Sequence, residues 1–171
     1  MKNMNAFDIV AMWRGDRNPE LRGYTGRIFE REVLGECRIR ARGYVSFRSA
    51  LGAVFRNQPG SPYEPMGEAG HFHGVVADSM KVRGFNSSRL KLYTAIGSAL
   101  DRFHGIDGFF YFEGAIVTVD ATMNPHKDVS RARVIVTAED AFSQFGEYGQ
   151  AAHEIAGWFD HARIHGWKGV I

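Results

Sequence analysis

Apolar residues recur along this chain at helical spacing in some stretches and as continuous aromatic and β-branched runs in others, with polar breaks between them. From about Tyr24, the positions Ile28, Phe29, Val33, Leu34, Cys37 and Ile39 suggest one apolar face of a helix. Thr25 is placed to cap its start, and either Gly43 ends it or Gly35 kinks it. Val45 to Phe55 reads as a second helix or an extended segment, and the pattern does not separate the two. The short apolar stretch from Phe7 to Trp13 is broken by Asp16-Arg17-Asn18-Pro19. Three prolines between Gln58 and Gly67 make that segment a loop, either a lid over a site or a surface connection.

Further along, His71 to Val82 is ambiguous, with Val75-Val76-Ala77 read as a short strand. Asn86-Ser87-Ser88 then offers a cap. Leu90, Leu92, Tyr93, Ile96, Leu100 and Phe103 follow as an amphipathic helix ending near His104-Gly105. The rhythm changes at Gly108. Phe109-Phe110-Tyr111-Phe112, the pair Glu113-Gly114, and Ala115-Ile116-Val117-Thr118-Val119 form two aromatic and β-branched runs around a two-residue turn, the signature of a hairpin. Met123 to Asp128 is a polar loop and Arg133 to Thr137 a third strand. Thr137-Ala138-Glu139-Asp140 resembles a capping box, and a final helical region runs to about Ile164, weakened by Gly146 and Gly149. The expected order is helix, helix, hairpin, strand, helix. This predicts a single domain over residues 1–171 of α/β (α+β) class: a small mixed β-sheet with a central hairpin, flanked by helices.

Composition narrows the class. With 44% hydrophobic and 23% charged residues in 171, the chain reads as an ordinary soluble globular domain able to bury a core. The lone Cys37 excludes an internal disulfide, fits a reducing compartment and reads as core. No run of ~18 apolar residues is present, so no membrane partner is expected. Met1-Lys2-Asn3-Met4-Asn5 has no apolar run behind it, so no signal peptide is expected and the default compartment is the cytoplasm. Net charge is only +2, but ten arginines fall between Arg14 and Arg56. Their planar forks suit phosphate. The competing reading pairs them with Glu30, Glu32 and Glu36 on solvated helix faces.

The chemistry concentrates at the open end of the hairpin. Asp107 precedes the first strand and Asp120 lies near the end of the second, so the fold-back brings the two acids together. Paired carboxylates resist joint ionisation, and a hard divalent cation relieves that repulsion. The expectation is closeness of the two side chains, provided strand alternation puts them on one face. Two other constellations compete. His153, His161 and His165 on the last helix, with Asp160, could form a zinc site, His161 and His165 being one turn apart; capping of the helix end is the plainer reading. His71 and His73 add two more histidines. There is no glycine-rich phosphate loop of either common form.

Asp107, the hairpin, and Asp120-Ala121-Thr122, preceded by Gly26-Arg27-Ile28-Phe29-Glu30 on a helix, resemble the PD-(D/E)xK, or restriction-endonuclease-like, nuclease superfamily over about residues 24 to 137. In that family an aspartate opens the second core strand, the third strand carries a second acid followed two residues later by a lysine, and a helical glutamate often joins the metal site. Thr122 stands at the lysine position here, and Lys127 follows in the loop. Ile106, not proline, precedes Asp107, and the segment from Met123 to Arg131 leaves room for only one or two helical turns before the next strand. The resemblance implies Mg²⁺- or Mn²⁺-dependent hydrolysis of DNA. Asp107, Asp120, the Ala121 carbonyl and Glu30 would hold metal, and Lys127 would orient water or meet developing charge. Arg27, Arg31, Arg38 and Arg42, with Thr122 and Asn124, are the expected nucleic-acid contacts. A homodimer would supply two sites for cutting both strands. Two rivals stand beside this reading: a non-catalytic nucleic-acid- or protein-binding accessory protein of a phage or mobile element keeping the fold, and a zinc-binding interaction protein.

Overall fold

The computed structural model describes residues 19–142 and 147–170, with side chains from residue 26 onward. The elements are α1 (Pro19–Leu34), α2 (Phe47–Arg56), α3 (Gly67–Val82), a 3₁₀ turn (Ser87–Arg89), β1 (Lys91–Thr94), α4 (Ala99–His104), β2 (Gly108–Phe112), β3 (Ala115–Thr122), β4 (Val134–Thr137), α5 (Ala138–Phe142), α6 (Gly149–His165) and β5 (Gly169–Val170). The stretch Phe7–Trp13 and Arg14 and Arg17 lie outside the described residues.

The five strands form one mixed sheet in the order β1-β2-β3-β4, with β5 beside the start of β3. β1, β2 and β3 meander antiparallel, while β4 and β5 run parallel to β3. Alternation along the strands feeds two cores. Leu92, Phe110, Phe112, Val117 and Val119 join Phe29, Phe72, Ile155 and Phe159 from α1, α3 and α6. Tyr93, Phe109 and Ile116 join Ala50, Val54 and Leu100 from α2 and α4 on the other face. The result is an α/β domain with helices on both faces of the sheet, as expected in class.

Several local expectations are corrected. α1 reaches back to Pro19, so Thr25 lies inside it and is not its cap. It ends at Leu34, where Gly35 turns left-handed (φ 75°) and donates to the Arg31 carbonyl; Gly43 plays no part in ending it. Val45–Phe55 resolves into α2, capped by Ser46, whose Oγ accepts from the Ser49 N–H at 3.2 Å. Val75-Val76-Ala77 is helical, in the middle of α3.

The largest departure spans residues 87–104. The helix expected from Leu90 to Phe103 is a 3₁₀ turn, strand β1, a bend at Gly97 (φ 87°) and the short α4. Asn86 caps only the 3₁₀ turn. The proline-rich loop covers the outer edge of β1. Leu92 N donates to the Pro62 carbonyl at 2.8 Å, and the Gln58 side chain pairs with both backbone groups of Thr94 at 2.9 Å. An edge strand is thereby satisfied without exposing a pairing surface.

Candidate functional site

The hairpin is as expected. Glu113 (φ 48°) and Gly114 (φ 94°) make a two-residue turn with both central residues left-handed, matching the twist of the strands. The last register pair, Gly108 with Val119, leaves Asp107 and Asp120 next along their strands. Asp107 is pinned by its backbone, its N–H donating to Val119 O at 3.0 Å and its carbonyl accepting from Ala95 N at 2.8 Å. Its Oδ2 accepts from the Ala121 N–H at 2.9 Å. Asp107 and Asp120 are both buried, at 6% exposure each. Within a strand, the N–H and C=O of one residue face the same edge, so the Ala121 carbonyl faces the side on which Asp107 sits.

Glu30, from the last turns of α1, joins them electrostatically. Its carboxyl is pushed up to about 7, first by burial, then by the negative charges of Asp101 and Asp120, with Lys127 and Arg27 opposing. Asp107 is pushed up to about 8 by burial and by Glu30 and Asp120, against the Ala121 N–H. Lys127 completes the group. Its Nζ lies 2.5 Å from Asp120 Oδ2. The loop that carries it is built by Thr122 and Asn124: Thr122 Oγ1 accepts from Asn124 N at 3.2 Å, Asn124 Oδ1 from His126 N at 3.0 Å, and Asn124 O from Lys127 N at 3.2 Å. These side-chain turns fold the chain back after β3 and return the lysine to the acid.

Two members of the cluster were not anticipated. Asp101, in α4, has its carboxyl raised by burial and contributes charge to both Glu30 and Asp107; its Oδ2 accepts from Gly97 N at 2.7 Å. Ser130 donates from Oγ to Asp120 Oδ2 at 2.5 Å. A signal for Asp101 existed: Ser98, whose Oγ accepts from Leu100 N, and Asp101 three residues on have capping-box spacing, which marks a helix start inside the supposed long helix.

The arginines divide. Arg27 acts on Glu30. Arg31 is held by Glu36 at 3.1 Å and Arg38 donates to the Pro59 carbonyl at 3.0 Å, so both make local structural contacts. Arg42 is exposed.

Among the described residues, no group of three or more His, Cys, Asp or Glu side chains is gathered in a metal-holding arrangement. At the acid cluster the carboxylates bind other donors: Asp120 holds Lys127 and Ser130, Asp107 the Ala121 N–H, and Asp101 the Gly97 N–H. The terminal histidines do not form a set either. His161 and His165 do share a face, 4.2 Å between ring centroids, but they pack on Trp167, while His153 hydrogen-bonds Arg83 and Asp160 binds Arg163. Cys37 is buried, donates to the Asn57 carbonyl and has its thiol pushed up by burial, the behaviour of a core residue.

Beside Lys127 opens a cleft of about 770 Å³, walled also by Pro125, Arg133, Thr137 and Glu154. No family model, curated protein or solved structure matches the chain.

Proposed function

We propose that this protein is a metal-dependent nuclease of restriction-endonuclease-like architecture that hydrolyses phosphodiester bonds of DNA. The observation that carries the reading is the placement of Asp107 and Asp120 side by side past the last register pair of the hairpin, with Lys127 on Asp120 and the charges of Glu30 and Asp101 acting on Asp107, so that Glu30 and Asp107 are held far above the ordinary carboxylate range. The order of elements supports it. A helix bears Glu30, Asp107 stands at the start of the second strand, Asp120 lies in the third, and the fourth runs parallel to the third. The segment 123–133 carries no helix, and its turns serve to place the lysine.

The donors fit Mg²⁺ or Mn²⁺ in kind. They are carboxylate and carbonyl oxygens, which hard cations prefer, and the four carboxyls outnumber the two cations Lys127 and Arg27, so a bound ion would favour their deprotonated forms. Asp107, Asp120 and the Ala121 carbonyl would hold the ion, with Glu30 and Asp101 behind them. The ion, when bound, lowers the pKa of water and neutralises charge on the phosphate. Lys127 is placed to orient the attacking water or to meet negative charge that develops on the phosphate oxygens. Glu30, poised near neutral pH, can accept a proton from that water.

The test is cleavage of single-stranded, duplex and branched DNA, and of RNA, with Mg²⁺ or Mn²⁺. Asp120→Asn abolishes cleavage while DNA binding persists. Lys127→Ala lowers the rate by roughly 10²- to 10³-fold, the usual effect of removing one charge-stabilising donor. If the wild type leaves every substrate intact, the second reading takes over: a nucleic-acid- or protein-binding module whose Lys127–Asp120 ion pair fills the site permanently.

A further inference from the structure

We propose that the outer side of α6 seats the unpaired bases of a single nucleic-acid strand, on Trp167 and on the Arg133 guanidinium stacked over the half-buried Trp158. The groove there has a volume of about 520 Å³ and is bounded by these two rings with Arg83, Arg133 and His161. Trp167 is 49% exposed, a large apolar area to leave in water. His161 stands edge-on between the indoles, its ring 5.7 Å from Trp158 and 5.1 Å from Trp167. The Arg133 guanidinium lies 4.4 Å over the Trp158 ring, and Arg83 Nη2 sits 3.2 Å from His153 Nε2.

Each part matches what a single strand needs. Flat aromatic faces stack on bases of any sequence. A guanidinium held against a ring by stacking keeps its N–H donors free for phosphate. The cations outnumber the one carboxylate on the groove, Glu154, which also accepts from Gln150. A duplex would leave the indoles unused, because its base faces are stacked inside the helix.

The groove also leads somewhere. Arg133 and Glu154 wall both it and the cleft that contains Lys127. In that cleft the acid Asp140 is already occupied, its two oxygens accepting from the Gln150 and Ala151 N–H groups. A strand held on this groove therefore passes Arg133 before reaching Lys127, the ion-pair partner of Asp120. This direction rests on the nuclease reading; the binding itself does not.

The experiment is equilibrium binding in EDTA at low salt, comparing labelled oligo(dT) with a hairpin duplex. Oligo(dT) should quench tryptophan fluorescence. Trp158→Ala and Trp167→Ala should each weaken its binding roughly 5- to 150-fold, the range of one lost base stack, with duplex affinity little changed. Trp158→Phe and Trp167→Phe should recover most of the loss, which separates stacking from damage to the fold. Arg133→Ala should flatten the salt dependence by about 0.7 in log–log slope per phosphate lost. Equal affinity for both oligonucleotides with no effect of the tryptophans would overturn the proposal. So would absence of oligo(dT) binding, or loss of a self-associated form of the free protein on Trp167→Ala, which would make this face a contact between copies. Asp120→Asn should bind oligo(dT) like the wild type. Single-strand binding without cleavage thus removes the nuclease reading alone, and cleavage without single-strand binding removes this inference alone.

Discussion

The two ends of the β2–β3 hairpin share the same strands and the same ladder, yet they are built to opposite purposes. At the turn end everything is closed. The Glu113 carbonyl accepts from Lys168, the Gly114 carbonyl from Gly169 N at 2.6 Å, and β5 pairs with Ala115 and Ile116. At the open end, buried and half-buried carboxyls act on one another through their charge, and burial raises three of them, Glu30, Asp101 and Asp107. Replacing such a cluster with apolar residues often stabilises a protein, so its presence argues for work other than folding. The fully buried Phe109, Phe110, Val117 and Val119 between the ends supply the packing that holds the acids in place.

The comparison breaks most sharply with pH. Asp107 and Glu30 hold protons in the folded state up to about 8 and about 7, whereas unfolded carboxyls release them near 4. Between those limits the folded state binds more protons than the unfolded one, so stability falls as pH rises. The metal-free protein should therefore melt at progressively lower temperature from about pH 5 to pH 8. Asp107→Asn, which can still accept from the Ala121 N–H, should remove much of this slope and raise the melting midpoint at pH 8 by several degrees, at ~2–4 °C per kcal/mol for a domain of this size. Mg²⁺ should act in the opposite sense, stabilising the wild type more as the ligands deprotonate. Thermal unfolding across pH, with and without Mg²⁺, checks all three; a slope that rises with pH in the metal-free protein would show that the cluster is not electrostatically strained.

The hairpin was legible because two aromatic and β-branched runs flank a diagnostic turn pair, Glu113-Gly114, and both acids fall at its ends. β1 was not, for a physical reason. Leu92 packs into one core and Tyr93 into the other, so apolar residues stand on both sides of the strand and its period of two disappears. Leu90, Ile96, Leu100 and Phe103 then complete a spurious helical stripe. Asp101 falls between the apolar positions of that stripe, and nothing in the apolar pattern singles it out. α3 was obscured by Gly70, Gly74, Val75 and Val76, poor helix formers in isolation. Gly70 is required, since a Cβ there would come within 2.3 Å of the Pro65 carbonyl oxygen. Ser130 and the return of Lys127 depend on side-chain turns within the loop, which residue spacing alone does not reveal.

Gly108 sharpens the comparison at intermediate size, because it is the strand residue next to Asp107. A Cβ there would meet the Tyr93 carbonyl oxygen at 2.9 Å and the Leu34 methyls at 3.4 Å. The backbone of β1 cannot yield without disturbing its register with β2. Gly108→Ala should destabilise by ~1–3 kcal/mol, as overpacking does. If the acid cluster is the active site, the same change should lower cleavage more than a distant change of equal stability loss would. Chemical denaturation and cleavage rates on the same samples decide this; a variant that is destabilised but fully active would uncouple the strand from the site.

The smallest effect is expected at the turn. Glu113 adopts φ 48°, where a side chain with Cβ is mildly strained, and Gly114 follows with φ 94°. Asn tolerates that conformation better, and Asn-Gly is the preferred pair for this kind of turn. The Lys168 contact is made to the Glu113 carbonyl, not to its carboxylate, so it survives the substitution. Glu113→Asn should therefore raise stability by roughly 0.5 kcal/mol, about 1–2 °C in melting midpoint. Cleavage and the pH slope should stay as in the wild type. Asp107→Asn, by contrast, should stabilise at pH 8 and, on the proposed nuclease reading, abolish cleavage. Two stabilising substitutions at opposite ends of one hairpin, one silent in function and one not, locate the strain at the acids; if Glu113→Asn altered the pH slope, the strain would have to be shared along the whole hairpin.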